Sequence, residues 1–141
     1  MTMSSGEERN FKILDTAGED DFQKMIDEWI KVADGFLLVY AINDKESFEA
    51  LKSKVNKIKK NHKDKAPVVV VGNKCDLESK REVDNQIAEN YAKSIGAKYY
   101  ETSALTDENK NCKVVFQQCA HLIVSKFNSE SKGGSCPCII W

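Results

Sequence analysis

At 141 residues the chain is long enough for one domain with a buried core. Its 41% hydrophobic and 30% charged residues are an ordinary globular balance, and a net charge of −1 lacks the basic excess that a nucleic-acid partner requires. No apolar run approaches the roughly 20 residues that span a bilayer, the polar start Met1–Arg9 argues against a secretory signal, and the five cysteines then read as reduced thiols.

Phe11–Leu14 reads as a short strand ending at Asp15-Thr16-Ala17-Gly18-Glu19. Asp20–Lys31 carries Phe22, Met25, Ile26 and Trp29 at helical spacing. Gly35–Ile42 is continuously apolar, as expected of a strand covered on both faces. Asp44 and Ser47 are capping residues for a helix whose apolar positions Phe48, Leu51, Val55 and Ile58 recur at three and four. Lys59–Lys65 is expected to turn, and Pro67 precedes a second buried strand over Val68–Val71. Glu82–Ile95 reads as a helix stopped by Gly96, Lys98–Thr102 as the last strand, and Asn111–Phe127 as the last helix. Ser129–Ser135 has the composition of a flexible linker, followed by Cys136-Pro137-Cys138-Ile139-Ile140-Trp141. Alternating strands and helices with fully apolar strands predict an α/β fold, a parallel sheet with helices on both faces.

Three motifs sit at expected strand ends, where ligands bind in such sheets. Asn73-Lys74-Cys75-Asp76 is the most specific. A carboxylate in the position of Asp76 can accept from both N1–H and the exocyclic amine of guanine, a donor pair that adenine lacks. The stem of Lys74 can lie over a base, and Asn73 can tie the loop to neighbouring strands. Asp15-Thr16-Ala17-Gly18 can serve a phosphate, with the carboxylate acting on Mg²⁺ through water and the Gly18 N–H reaching a terminal phosphate. Thr102-Ser103-Ala104 can offer loop N–H groups to the guanine carbonyl oxygen. The bland reading of each is a polar turn after a strand. His62 and His121 read as structural or exposed, and no Ser/His/Asp arrangement stands out.

Together these motifs, with Gly35-Phe36-Leu37-Leu38-Val39-Tyr40-Ala41-Ile42-Asn43 and Ser47-Phe48-Glu49, make the chain resemble a Ras-superfamily small GTPase. The likeness is closer to the Ras branch than to Rab proteins, and it covers nearly the whole sequence. The resemblance implies a P-loop-NTPase-type sheet over residues 1–128, a GTP/GDP switch that hydrolyses GTP, and Mg²⁺ as cofactor. It assigns nucleotide contacts to Asp15, Thr16, Ala17, Gly18, Asn73, Lys74, Asp76, Ser103, Ala104 and Leu105. Phe22 to Trp29 would be the switch II helix that meets effector and regulator proteins.

Two departures limit what the resemblance implies. Glu19 stands where the family usually has the Gln that orients the attacking water, and its negative charge predicts slow hydrolysis. The sequence also contains no Gly-x-x-x-x-Gly-Lys-Ser/Thr loop. In the family, the strand before that loop lies between the strand of Phe11–Leu14 and that of Phe36–Tyr40. The expectation is therefore a truncated G domain with a gap in its sheet, and nucleotide affinity around millimolar or worse. The alternatives are a non-enzymatic pseudo-GTPase interaction module or a fragment completed in trans. Over residues 129–141, Cys138-Ile139-Ile140-Trp141 has the Cys-aliphatic-aliphatic-X form of a prenylation signal, with Cys136 placed for a second acyl chain. Paired cysteines of Rab type and a plain apolar terminus remain open. A lipidated tail implies the cytoplasmic face of a membrane.

Overall fold

The computed structural model describes residues 10–16, 23–63, 65–105, 110–130 and 136–140. In chain order these form β1 (Phe11–Asp15), α1 (Gln23–Val32), β2 (Gly35–Ala41), α2 (Lys45–His62) and β3 (Val68–Asn73). A 3₁₀ segment (Cys75–Lys80), α3 (Asn85–Ser94), β4 (Lys98–Glu101), α4 (Lys110–Glu130) and β5 (Cys136–Ile140) follow.

Local chemistry sets the helix boundaries. The Asp44 carboxylate accepts from the Ser47 N–H at 3.0 Å and caps α2. Asp84 caps α3 by accepting from the Gln86 and Ile87 N–H groups, and the chain leaves α3 through Gly96 at φ 71°. α2 runs on to His62 instead of turning at Lys59, ending at Lys63 in left-handed geometry. The extra turn gives His62 two partners: its Nε2 meets the Ile30 carbonyl oxygen of α1, and its ring stands edge-on to Phe36.

All four strand pairings are parallel, in the order β1-β5-β2-β3-β4. Alternate residues of the central strands serve opposite layers. Phe36, Leu38, Tyr40 and Val70 join Ile26, Ile30, Phe48, Leu51, Val55 and Ile58 beneath α1 and α2. Leu37, Val69 and Val71 pack with Val115, Cys119 and Ile123 of α4 on the other face. Both layers of a helix–sheet–helix sandwich are thus filled, as the apolar runs of β2 and β3 require.

The expected gap between β1 and β2 is not there. Cys136–Ile140, read from composition as part of a tail, enter the sheet as β5. Phe11 to Asp15 pair with Cys136 to Ile140 on one side, and Gly35, Phe36 and Leu37 pair with Cys138, Ile139 and Ile140 on the other. A parallel sheet leaves rows of backbone donors and acceptors wherever a strand is missing, and β5 pairs those of β1 and of Gly35–Leu37 in β2. Helix α4 also continues to Glu130, into the stretch expected to be linker. Among the described residues no helix is long and apolar enough to cross a membrane.

Gly35 opens β2 where α4 comes closest. A Cβ built there lies 2.6 Å from Ile123 Cγ1 and 2.7 Å from its Cδ1, and Ile123 is fully buried. Gly35→Ala is expected to lower stability by about 1–3 kcal/mol, the usual cost of overpacking, read as a lower urea midpoint at unchanged slope.

Candidate functional site

The motif that follows β3 is built by a reversal of the chain. Lys74 adopts left-handed geometry (φ 62°, ψ 35°), an uncommon and costly choice for a side chain with a Cβ. The reversal brings the Cys75 N–H to the Thr102 carbonyl oxygen at 3.0 Å, while the Thr102 N–H donates to the Gly72 carbonyl at 2.9 Å. Two loops from neighbouring strands are thereby locked backbone to backbone.

Side chains complete the lock. The Thr102 hydroxyl donates to Asn73 Oδ1 at 3.2 Å, so Asn73 does tie its loop to the next strand. The Asn73 carbonyl accepts from the Ile42 N–H at 3.0 Å, adding β2 to the assembly. The Ser103 hydroxyl donates to Asp76 Oδ1 at 2.5 Å and accepts from the Leu105 N–H at 3.2 Å. Asp76 is exposed, whereas Thr102 and Ser103 are buried. The carboxylate is therefore aimed by a buried hydroxyl and presented to solvent, which suits a group meant to accept hydrogen bonds from a ligand. Cys112 lies below, its Sγ donating to the Ser103 carbonyl oxygen at 3.7 Å.

Beneath these loops runs a polar network with no signature in the sequence. Arg81 forks between Glu78 and Glu101: Nη1 and Nη2 meet the two Glu101 oxygens at 2.9 and 3.0 Å, and Nη1 also donates to the Val83 carbonyl. The Tyr99 hydroxyl donates to Glu101 Oε1 at 2.7 Å, which leaves its oxygen to accept from Tyr40 at 2.9 Å. Gly72 makes room for that pair, since a Cβ there would stand 2.9 Å from both hydroxyl oxygens. Burial on its own pushes the Glu101 carboxyl up. Hydrogen bonds from Arg81, Tyr99 and Asn85, with the Arg81 charge, outweigh burial and hold it below the usual range. Burial, then the Tyr40 and Glu101 contacts, push the Tyr99 phenol up. Residues 78 and 81 stand at helical spacing and 99 and 101 at strand spacing, but only the folded chain brings the two pairs together.

The third motif stands apart. Asp15 ends β1 and is exposed, and Thr16 is buried, its N–H and hydroxyl both donating to the Ile140 carbonyl at 3.1 and 2.8 Å. The register runs Asp15–Ile140–Leu37–Val69, so Asp15 lies level with Val69, four residues short of Asn73. That is roughly 13 Å along the strands and 14 Å across them, by ordinary strand dimensions. Only an elongated ligand can touch both ends. Ala17, Gly18, Glu19 and Phe22 lie outside the described residues. Ala104 and Leu105 are exposed beside the Ser103 lock.

The sequence model of the Ras family matches residues 1–125. The chain belongs to the Ras family. A Ras-like protein of Laccaria bicolor is 42% identical over 93 residues, covering 65% of this chain and 44% of that protein. The human Ras-related protein R-Ras is 36% identical over 140 residues, 91% of this chain and 63% of its own length. The rat GTP-binding protein Rab-3D is 37% identical over 126 residues, 89% of this chain and 57% of its own. The chain thus spans about half to under two thirds of the length of these curated relatives.

Members of this family in general bind guanine nucleotides with Mg²⁺, and the described residues of this chain fit the two parts of such a ligand unequally. At the base end, Asp76 fixed by Ser103 and a loop fixed through Asn73 and Thr102 make a prepared acceptor site. At the phosphate end the sequence offers no glycine-rich loop with its lysine and hydroxyl, and among the described residues no cluster of three His, Cys, Asp or Glu side chains could hold a metal ion. Among the described residues, the donor set around Asp76 suits guanine, and the Gly18 stretch that would meet a phosphate lies outside them.

Because the Glu101 carboxyl is held low when folded, its stabilisation is present above the unfolded glutamate value of 4.5 and fades as pH falls through the lower folded value. Glu101→Gln is expected to lower stability at pH 7 and to flatten the acid limb of a urea-midpoint-versus-pH curve. An unchanged acid limb would remove Glu101 from that account.

Proposed function

We propose that this chain is a guanine-recognising module of the Ras family, and that in the family's switch its part is to read the base. The observation that carries this is the Ser103–Asp76 bond: a buried hydroxyl spends itself on orienting an exposed carboxylate. Asp76 Oδ2, and Oδ1 in part, would accept from N1–H and the 2-amino group of guanine. Adenine would leave the carboxylate unpaired, a penalty of about 1–3 kcal/mol or more. Asn73 and Thr102 hold the loop to this geometry, Lys74 would cover the base, and the backbone around Ala104 and Leu105 would meet its carbonyl oxygen.

Two charge-assisted bonds at about 1.5–3 kcal/mol each barely exceed an association cost of roughly 4 kcal/mol or more, so affinity from the base end alone is around millimolar or weaker. Tight binding, GTP hydrolysis and switching call for a phosphate cradle besides. Were Glu19 beside the terminal phosphate, its charge would slow hydrolysis. A second reading is a pseudo-GTPase whose helices serve partners without nucleotide turnover. α1 would be the partner surface in either case, with Met25 47% exposed above the buried Ile26 and Ile30. We also propose that Cys138 takes a prenyl group and Cys136 a second acyl chain, placing the module at the cytoplasmic face of a membrane; two chains are needed because one anchors only marginally.

Titrating the isotope-labelled chain with GDP and ADP to several millimolar separates the readings. Base recognition predicts saturable NMR shifts for Gly72–Asp76 and Thr102–Leu105 with GDP, far weaker ones with ADP, and loss of the difference in Asp76→Ala. Equal responses to both nucleotides, or none, would leave the pseudo-GTPase reading in place.

A further inference from the structure

The same five residues that carry the proposed lipid acceptors are β5, and both uses cannot be served at once. Lipid transfer to a Cys-aliphatic-aliphatic-X signal requires the enzyme to reach the cysteine and the residues after it. In the folded chain the backbone of Cys138–Ile140 is paired on both edges, to Ile13–Asp15 and to Gly35–Leu37. We propose that Cys136–Ile140 is a detachable strand: docked, it completes the sheet and withholds Cys138 from lipid transfer; released, it exposes the acceptor and frees β1. The lipid half of this inference rests on the prenylation reading above.

Several observations favour a strand that can leave without unfolding the molecule. The inner part of the sheet, β2-β3-β4, keeps its own pairings, which involve no residue of β5. Ile140 is partly buried against the cluster of Leu37, Val69 and Ile123. Pro137, which has no N–H to give, falls where β5 is opposed by Lys12 alone, because pairing to β2 begins at Cys138. The strand is therefore held mainly over its last three residues and by the two bonds from Thr16 to the Ile140 carbonyl. Openings of this kind, below the global unfolding free energy, are ordinary for short terminal elements.

The chemistry that docking withholds is a substitution. The Cys138 thiol loses its proton, its sulfur attacks C1 of a prenyl diphosphate, a C–S thioether bond forms, the C1–O bond breaks, and diphosphate leaves. No oxidant or reductant is needed, and the co-reactant is the prenyl diphosphate itself.

The experiment compares the full chain with a synthetic peptide of residues 129–141, each offered to farnesyl- and geranylgeranyl-transferring enzymes with labelled prenyl diphosphate, while backbone amide exchange is followed in the unmodified proteins. Docking predicts prenyl transfer to the full chain at least tenfold slower than to the peptide, and amides of 138–140 protected by at least the same factor, the change that about 1.4 kcal/mol produces. Thr16→Ala, which removes one bond to Ile140, should accelerate both processes about fivefold, the worth of one hydrogen bond, while the amides of β3 stay as protected as before. Exchange of 138–140 at the peptide's rate would overturn the docked strand, whatever the lipid result. Equal prenyl transfer to chain and peptide would overturn the exclusion. Loss of β3 protection in step with β5 would show that release is global unfolding, contrary to the proposal. A peptide that neither enzyme accepts would sink the lipid reading alone, with amide exchange still deciding whether the strand docks and opens locally.

Discussion

Two parallel strands that do not touch must have something between them, and the rest of this molecule depends on how that need is met. β1 and β2 both run in the same direction, and a position one strand wide separates them. Unfilled, it would leave two rows of backbone N–H and C=O groups without partners inside an otherwise dry sandwich, each costing about 1–3 kcal/mol. The chain fills the position with its own C-terminal segment. Sequence distance is no obstacle, because the entropy of closing a long loop grows only slowly with its length. Direction is the stricter condition. The segment must run parallel to its neighbours, and α4 supplies the crossover that returns the chain to the right end of the sheet.

A second constraint lies under the base-end loops. Arg81 and Glu101 are only 14% and 20% exposed at their side chains, and removing one partner of such a pair strands the other charge. Here each group is met by more than one neighbour. Glu101 accepts from Arg81 and Tyr99, Tyr99 accepts from Tyr40, and Arg81 also reaches Glu78 and the Val83 carbonyl. A network satisfied this fully adds rigidity where a half-satisfied one would be a liability. It fixes the ends of β3 and β4 relative to each other, and those ends carry Asn73 and Thr102. The geometry around Asp76 is thus supported by partly buried polar pairs that lie away from it.

Much of this was legible from residue order alone. The apolar runs of β2 and β3, the spacing of Phe48, Leu51, Val55 and Ile58, and the capping of α2 by Asp44 all follow from local rules that the fold respects. The joining of Asn73-Lys74-Cys75-Asp76 to Thr102-Ser103 was legible too, since each sits at the end of a strand in a sheet where such ends share an edge. What escaped was non-local. Nothing in Cys136-Pro137-Cys138-Ile139-Ile140 distinguishes a strand from an apolar terminus: it is short, begins around a proline, and follows a stretch of small polar residues. Its role comes from the vacancy it meets, a property of β1 and β2. The same holds for Arg81, whose partners come from 3 residues and 20 residues away. The overrun of α2 has a similar cause: Lys-rich turns of helix are neutral by propensity, and the contacts of His62 with Ile30 and Phe36 decide the matter.

These two constraints divide the candidate site into halves that answer to different parts of the chain. The Asp76 end is held by β2, β3 and β4 through bonds among Ile42, Gly72, Asn73, Thr102, Ser103 and Asp76, none of which involves β5. The Asp15 end reaches the remainder of the sheet, among the described residues, by way of β5, and Thr16 is fastened to Ile140 itself. Whatever occupies the central position therefore sets where Asp15 stands, whereas the Asp76 carboxylate keeps its orientation regardless. The Asp76 loop is held by the part of the fold that does not depend on β5, and the Asp15 motif is placed by β5. A ligand long enough to touch both ends would couple to that strand through Asp15 and Thr16, and its grip on the far end would be only as firm as three paired residues of β5.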